Sequence, residues 1–61
     1  MHKTITPQVV SAIRRNLVDF GYPTVTDAIV QAQIDKIKAG EKLSIIGMFA
    51  ETMLRENGYI D

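Results

Sequence analysis

The segment Leu-Val-Asp-Phe-Gly-Tyr-Pro-Thr-Val-Thr, residues 17–26, predicts where one helix ends and the next begins. Gly21 suits the left-handed backbone conformation that commonly follows a helix, and Tyr22 would then pack back against Leu17 in a Schellman ending. Pro23 prevents the helix from continuing and biases the residue before it towards extended geometry. The segment therefore predicts a helix end followed by a tight turn.

Upstream of this turn, Thr6 and Pro7 predict the start of the first helix. Threonine is a good N-cap residue, and proline is favoured at the first helical position because its missing N–H would be unpaired there anyway. We expect a helix over about residues 7–20, after a short extended arm of residues 1–5. Its large apolar residues fall in a single stripe that is predicted to face the core. They are Val9, Val10, Ile13, Leu17 and Phe20.

Downstream of the turn, the second helix has two alternative N-caps. Thr24 has a carboxylate three residues on, as in a capping box, whereas Thr26 is flanked by valines at the spacing of a hydrophobic staple. The helix is predicted to span about residues 26–39 and to end at Gly40. Gln33 falls within its apolar face, either bonded to backbone at the core edge or setting the register of a helix–helix contact. That face is formed by Ile29, Val30, Ile34 and Ile37.

The third helix is predicted over about residues 44–57, with Ser44 as its N-cap and Gly58 and Tyr59 repeating the ending of the first helix. Its apolar residues cover an arc of roughly 240°, whereas a helix in a small bundle needs a stripe of only somewhat more than about 100°. The surplus either packs under the other two helices or contacts a second copy or a partner. The arc is formed by Ile45, Ile46, Met48, Phe49, Ala50, Met53 and Leu54.

Residues 17–32 resemble the corresponding part of ubiquitin-associated domains, in which a loop with the pattern Met-Gly-Phe/Tyr joins the first two helices. Phe-Gly-Tyr at residues 20–22 stands at the position of that loop, with Phe in place of Met. Met-Leu at residues 53–54 resembles an apolar pair near the end of the third helix. The resemblance covers about a quarter of the chain. It implies a three-helix fold in which the loop and the end of the third helix form a partner-binding face.

These features together predict an all-α protein with a single compact three-helix domain over residues 1–61. Its arrangement is expected to be either ubiquitin-associated-like or helix–turn–helix-like, because the turn at Gly40 stands where a helix–turn–helix domain has its turn. A domain of about 60 residues buries only a modest share of its surface, so association is a natural way to complete its core.

The composition argues against several function classes. The chain has no cysteine, which removes disulfides, thiolate zinc sites and a catalytic thiol, and it has a single histidine. Its two serines and its dispersed carboxylates form no pattern of a nucleophile with a base, so we expect no enzyme activity, no metal and no cofactor. No apolar run is long enough for a transmembrane helix. We therefore expect a cytoplasmic protein with no membrane partner.

Protein contact is the function that this composition leaves open. The surplus apolar surface of the third helix and the aromatic residues of the first loop predict a small non-enzymatic interaction module or adaptor. It is expected to self-associate as a homodimer or to dock a partner protein. The residues expected at the contact are Phe20, Tyr22, Ile45, Met48, Met53 and Leu54.

An alternative is a small helix–turn–helix regulator that binds DNA. The net charge is zero, but the charges are arranged in blocks: residues 1–18 sum to +3 and 36–42 to +2, against −3 for 19–35 and −2 for 43–61. A local basic patch would form if the first helix adjoined the end of the second. Its members would be Arg14, Arg15, Lys36, Lys38 and Lys42.

Overall fold

The computed structural model describes residues 2–61 and consists of three helices packed around one core. Helix α1 spans Pro7–Asp19, α2 spans Asp27–Ala39 and α3 spans Ile45–Glu56. The prediction of an all-α three-helix domain is confirmed. Each predicted boundary agrees with the observed one to within a single residue, counted from 7–20, 26–39 and 44–57.

Each helix begins with a hydroxyl side chain that caps the first turn. The hydroxyl oxygens of Thr6, Thr26 and Ser44 accept hydrogen bonds from backbone N–H groups three residues on, at 3.2–3.4 Å. These bonds satisfy N–H groups that have no partner inside the helix. Of the two alternatives for α2, Thr26 is therefore the cap, and Thr24 lies in the preceding turn.

All three helices end with a glycine in the left-handed backbone conformation, namely Gly21, Gly40 and Gly58. The residue after each glycine donates its N–H to a carbonyl in the last helical turn, at 2.8–3.0 Å. This is the Schellman pattern that the sequence predicts for the first and third helices, and α2 follows it as well. Because a side chain is strained at positive φ, the glycines determine where the chain turns.

The core takes residues from every helix and from the loop before α2. Phe20, which the helical stripe of α1 places towards the core, is instead 71% exposed. It lies with Val9 at one edge of that stripe, and this edge faces the opening between α1 and α3 rather than α2. Ile29 of α2 is likewise exposed. The buried apolar residues are Val10, Ile13, Leu17, Val25, Val30, Ile34, Ala50 and Leu54.

Helices α2 and α3 are in close contact where Gln33 meets Gly47. Both residues are buried, and a Cβ atom at position 47 would overlap Gln33 Oε1 and stand 3.0 Å from the Cβ of Leu43. Gln33 Oε1 has no hydrogen-bond partner within residues 2–61, so this oxygen does not make the backbone bond expected of the amide. The glycine is needed for space at this contact.

The non-helical arm before α1 lies against the end of the chain. The backbone N–H of Lys3 donates to the carbonyl of Gly58 at 3.2 Å, and the Lys3 ammonium lies 5.3 Å from the centre of the Tyr59 ring. His2 Nε2 and Asp61 Oδ1 are 2.6 Å apart. Met1, the first residue of the predicted arm, lies outside the described residues. No helix within residues 2–61 has the length and apolar character needed to cross a membrane.

Candidate protein-interaction surface

The six residues predicted to contact a protein do not all reach the surface. Phe20, Ile45 and Met48 are 71%, 57% and 56% exposed. Tyr22 and Met53 are half-buried and pack against the edge of the core. Leu54 is 1% exposed and belongs to the core, because its helical position faces inward. It is therefore not available to a partner.

Three aromatic rings meet beside the loop after α1. The rings of Phe20 and Phe49 are 5.5 Å apart between centres and lie edge to face, at an interplanar angle of 69°. The centre of the Tyr22 ring lies 5.8 Å from the centre of the Phe49 ring, so Phe49 contacts both other rings. Phe49 is half-buried and links the exposed loop to α3. Edge-to-face pairs favour a defined arrangement of the two rings, so the contact with Phe49 restrains the exposed ring of Phe20.

Phe49 is absent from the residues predicted for this surface, although the sequence holds a signal for it. It follows Ile45 by four residues and precedes Met53 by four, so all three lie along one side of α3. Met48 is also a neighbour of Ile45 on that side. We call this surface the apolar face and define it by Phe20, Ile45, Met48, Phe49 and Met53.

A groove of about 450 Å³ opens between α1 and α3 at one end of the apolar face. We call it the α1–α3 groove. Its apolar lining comes from Phe20, Phe49 and Met53. Its polar lining comes from Asn16, Asp19, Thr52 and Glu56.

The groove continues along the line where α1 and α3 meet. A second depression of about 300 Å³ shares Asn16 and Met53 with it and reaches Tyr59. Phe20 lies opposite Phe49, and the amide of Asn16 lies 3.9 Å from the sulfur of Met53. The two helices therefore run antiparallel here, since a step back along α1 matches a step forward along α3. The opening is elongated rather than round.

The basic residues do not form the predicted patch. The patch required the first helix to adjoin the end of the second, but Arg14 instead donates to Asp27, the first residue of α2, at 2.7 Å. Lys36 and Lys38 lie in the last turn of α2, about 13–17 Å further along its axis at 1.5 Å per residue. Arg15 and Lys42 are exposed. The pairing of Arg14 with Asp27 thus places Arg14 away from Lys36 and Lys38.

Asp27 is held by two donors from α1. The hydroxyl of Ser11 donates to one carboxylate oxygen at 2.8 Å, and Nε of Arg14 donates to the other. The hydrogen bond from Ser11 is the largest cause that lowers the pKa of Asp27 below its ordinary value of 3.8, and the bond and charge of Arg14 add to it. Partial burial acts in the opposite direction. These contacts fasten the start of α2 to α1.

The hydroxyl of Ser11 and the imidazole of His2 both have polar partners in the described structure. Ser11 is fixed to a carboxylate, and His2 lies with Asp61 at the chain ends. Within residues 2–61, no three His, Cys, Asp or Glu side chains are grouped so that they could hold a metal ion. The apolar face is thus the feature of the described structure that most clearly departs from an ordinary polar surface.

The comparisons with known proteins add no relative. No protein-family model, no curated protein and no solved structure matches the chain. The resemblance of residues 17–32 and 53–54 to ubiquitin-associated domains stays an interpretation of those residues. A proposal for the function of this chain therefore rests on the geometry of the apolar face.

Proposed function

We propose that this chain is a small non-enzymatic protein-interaction module that binds its partner through the apolar face. The observation that carries the proposal is the exposure of Phe20. The chain has only two phenylalanines, and this one leaves 71% of its surface accessible instead of burying it in the core. The face continues from it through Phe49 to Ile45 and Met48. Contiguous apolar patches of this kind are typical of contact surfaces on small soluble domains.

Self-association is the form of this proposal that suits the end of the face around Ile45 and Met48. The polar neighbours of Met48 on the helix are Ser44, Thr52 and Glu51, and the carboxylate of Glu51 lies 3.8 Å from the guanidinium of Arg55. A two-fold contact brings the same patch of both copies together, so a patch whose one carboxylate is paired meets its copy without strong repulsion. We propose a homodimer joined at this end of α3.

Sedimentation velocity of the intact chain from about 1 µM to about 1 mM tests the homodimer. We expect a sedimentation coefficient that rises with concentration, and we expect Met48→Ser to abolish the rise. Ala32→Ser is the control, because Ala32 is an exposed residue on α2, outside the apolar face. A chain that stays monomeric over the whole range would overturn self-association.

We do not propose the alternative function, a helix–turn–helix regulator that binds DNA. A recognition helix presents several polar or basic side chains to base edges. The exposed residues of α3 are Ile45, Met48, Thr52, Arg55 and Glu56, of which one is basic. Arg14 of α1 meets the start of α2, whereas Lys36 and Lys38 lie in its last turn.

A further inference from the structure

Two carboxylates border the α1–α3 groove. Asp19 and Glu56 both line it and are exposed, and neither forms an ion pair with another of residues 2–61. No lysine or arginine of the described chain lines the groove. The opening therefore combines an apolar interior with an unbalanced negative charge at its edges.

The positions of these carboxylates in their helices are unfavourable. Asp19 is the last residue of α1 and Glu56 the last residue of α3, where the negative end of the helix dipole repels an anion. Helix α2 shows the favourable arrangement, with Asp27 in its first turn and Lys36 and Lys38 in its last. The two helices that form the groove thus carry acidic residues against the dipole. A cationic partner seated on the groove would offset this repulsion.

The shape of the opening favours a helical occupant. The groove and its adjoining depression run along α1 from Phe20 to Val9. The twelve residues from 9 to 20 span about 16 Å of helix, or three turns. A helix of that length can place apolar side chains at i, i+3 or i+4, and i+7 into an elongated apolar opening.

We propose that the α1–α3 groove binds a basic amphipathic helix of a partner protein. Its apolar side chains would contact Phe20, Phe49 and Met53, and lysines or arginines flanking them would face Asp19 and Glu56. This inference rests on the proposed function and adds the chemistry of the partner. A second copy docked symmetrically on this groove would bring carboxylates against carboxylates, so the groove and the Ile45–Met48 end take different occupants.

The test uses two synthetic peptides and the intact chain. Both peptides are about 14 residues long and carry the same leucine stripe, but one has lysines flanking the stripe and the other has glutamates. Affinity is measured by fluorescence anisotropy, and the binding site is mapped by amide chemical shifts. We expect the lysine peptide to bind at least about tenfold more tightly, with shifts along the groove and a preference that weakens in high salt.

Charge variants separate this inference from the proposed function. Asp19→Asn combined with Glu56→Gln should weaken the lysine peptide about tenfold and leave the glutamate peptide unweakened. Asp35→Asn combined with Glu41→Gln is the matched control, because it removes two exposed carboxylates that do not line the groove. Phe20→Ser should weaken the lysine peptide by removing an apolar contact.

Three outcomes would overturn the inference. Equal affinity for the two peptides would reject the charge preference while leaving an apolar docking surface in place. Binding of neither peptide would reject a helical occupant. The homodimer would still be tested separately, by sedimentation velocity. An equal loss in the control pair and in Asp19→Asn with Glu56→Gln would show that only the net charge of the chain matters.

Discussion

The two sides of α3 use residue size in opposite ways. On the side that faces α2, Gly47 and Ala50 are buried, and the helices approach closely because these residues are small. On the other side, Ile45 and Met48 are large and more than half exposed. A helix selected only for stability would place its larger apolar residues inside. The contrast teaches that the inner side of α3 is built for close packing, and it supports the proposal that the outer side contacts another molecule.

The α1–α2 contact and the α1–α3 groove also differ in how they treat charge. At the α1–α2 contact, the carboxylate of Asp27 is bound by Ser11 and Arg14. The open side, along the α1–α3 groove, leaves Asp19 and Glu56 without ion-pair partners among residues 2–61. We expect the contacts of α2 with α1 and α3 to provide the stability and the open side of α3 to contribute little.

The largest difference should appear between a core leucine and an exposed methionine. Leu17→Ala removes a fully buried side chain and should cost about 2–5 kcal/mol, enough to unfold a domain of this size. Met48→Ala should change stability by no more than about 0.5 kcal/mol because the side chain is largely exposed. Urea unfolding followed by circular dichroism measures both. Equal midpoints for the two variants would break the comparison.

A smaller but more specific effect is expected where α2 and α3 touch. Gly47→Ala gains about 1 kcal/mol of helix propensity, but its Cβ overlaps the buried amide of Gln33 and crowds Leu43. Overpacking of this kind costs about 1–3 kcal/mol, so we expect a net loss of stability. In a Gln33→Ala background the same change should stabilise the protein. A double-mutant cycle measures the coupling, and a coupling near zero would show that the helices are not packed as described.

The helix boundaries could be predicted from sequence because they depend on local chemistry. Hydroxyl caps and glycine endings act within four or five residues of the chain, and they hold at all three helices. The candidate site was predictable only in part. A helical wheel shows which residues share a side but not which neighbour that side meets. Phe20 is therefore predicted both for the core-facing stripe and for the contact, and Leu54 is predicted for the contact although it is buried.

The same limit explains the residues that were missed or misplaced. Phe49 lies in the wide apolar arc of α3, and the arc alone does not distinguish its covered part from its open part. The basic patch failed because it needed α1 to adjoin the end of α2, whereas Arg14 meets its start. The contact of Gln33 with Gly47 depends on the rotation of both helices, which tertiary packing determines.

Acid should weaken the contact between α1 and α2 through Asp27. The pKa of this carboxyl is lower in the folded protein than its ordinary value of 3.8, chiefly because Ser11 donates a hydrogen bond to it. Its contribution is therefore fully present above the ordinary pKa and is lost as the pH falls through the lower, folded value. We expect Ser11→Ala to reduce the loss of stability between about pH 5 and about pH 2. Urea midpoints across this range measure it, with Glu41→Gln as the control; a loss unchanged in Ser11→Ala would contradict the assignment.

The smallest effect is a change in stability whose sign should differ between the two groove carboxylates and Asp27. Asp19→Asn and Glu56→Gln each remove a carboxylate from the negative end of a helix dipole and should raise stability by about 0.3–1 kcal/mol. Asp27→Asn makes the same chemical change at the positive end of α2 and leaves a single acceptor oxygen for the two donors Ser11 and Arg14, so it should lower stability. Thermal unfolding of the three variants at neutral pH and low salt makes the comparison. If Asp19→Asn and Glu56→Gln also destabilise, the open side holds its carboxylates for folding rather than for a partner. If they stabilise the free chain while weakening the lysine peptide, the acidic edge of the groove is retained at the expense of stability, as expected for a binding surface.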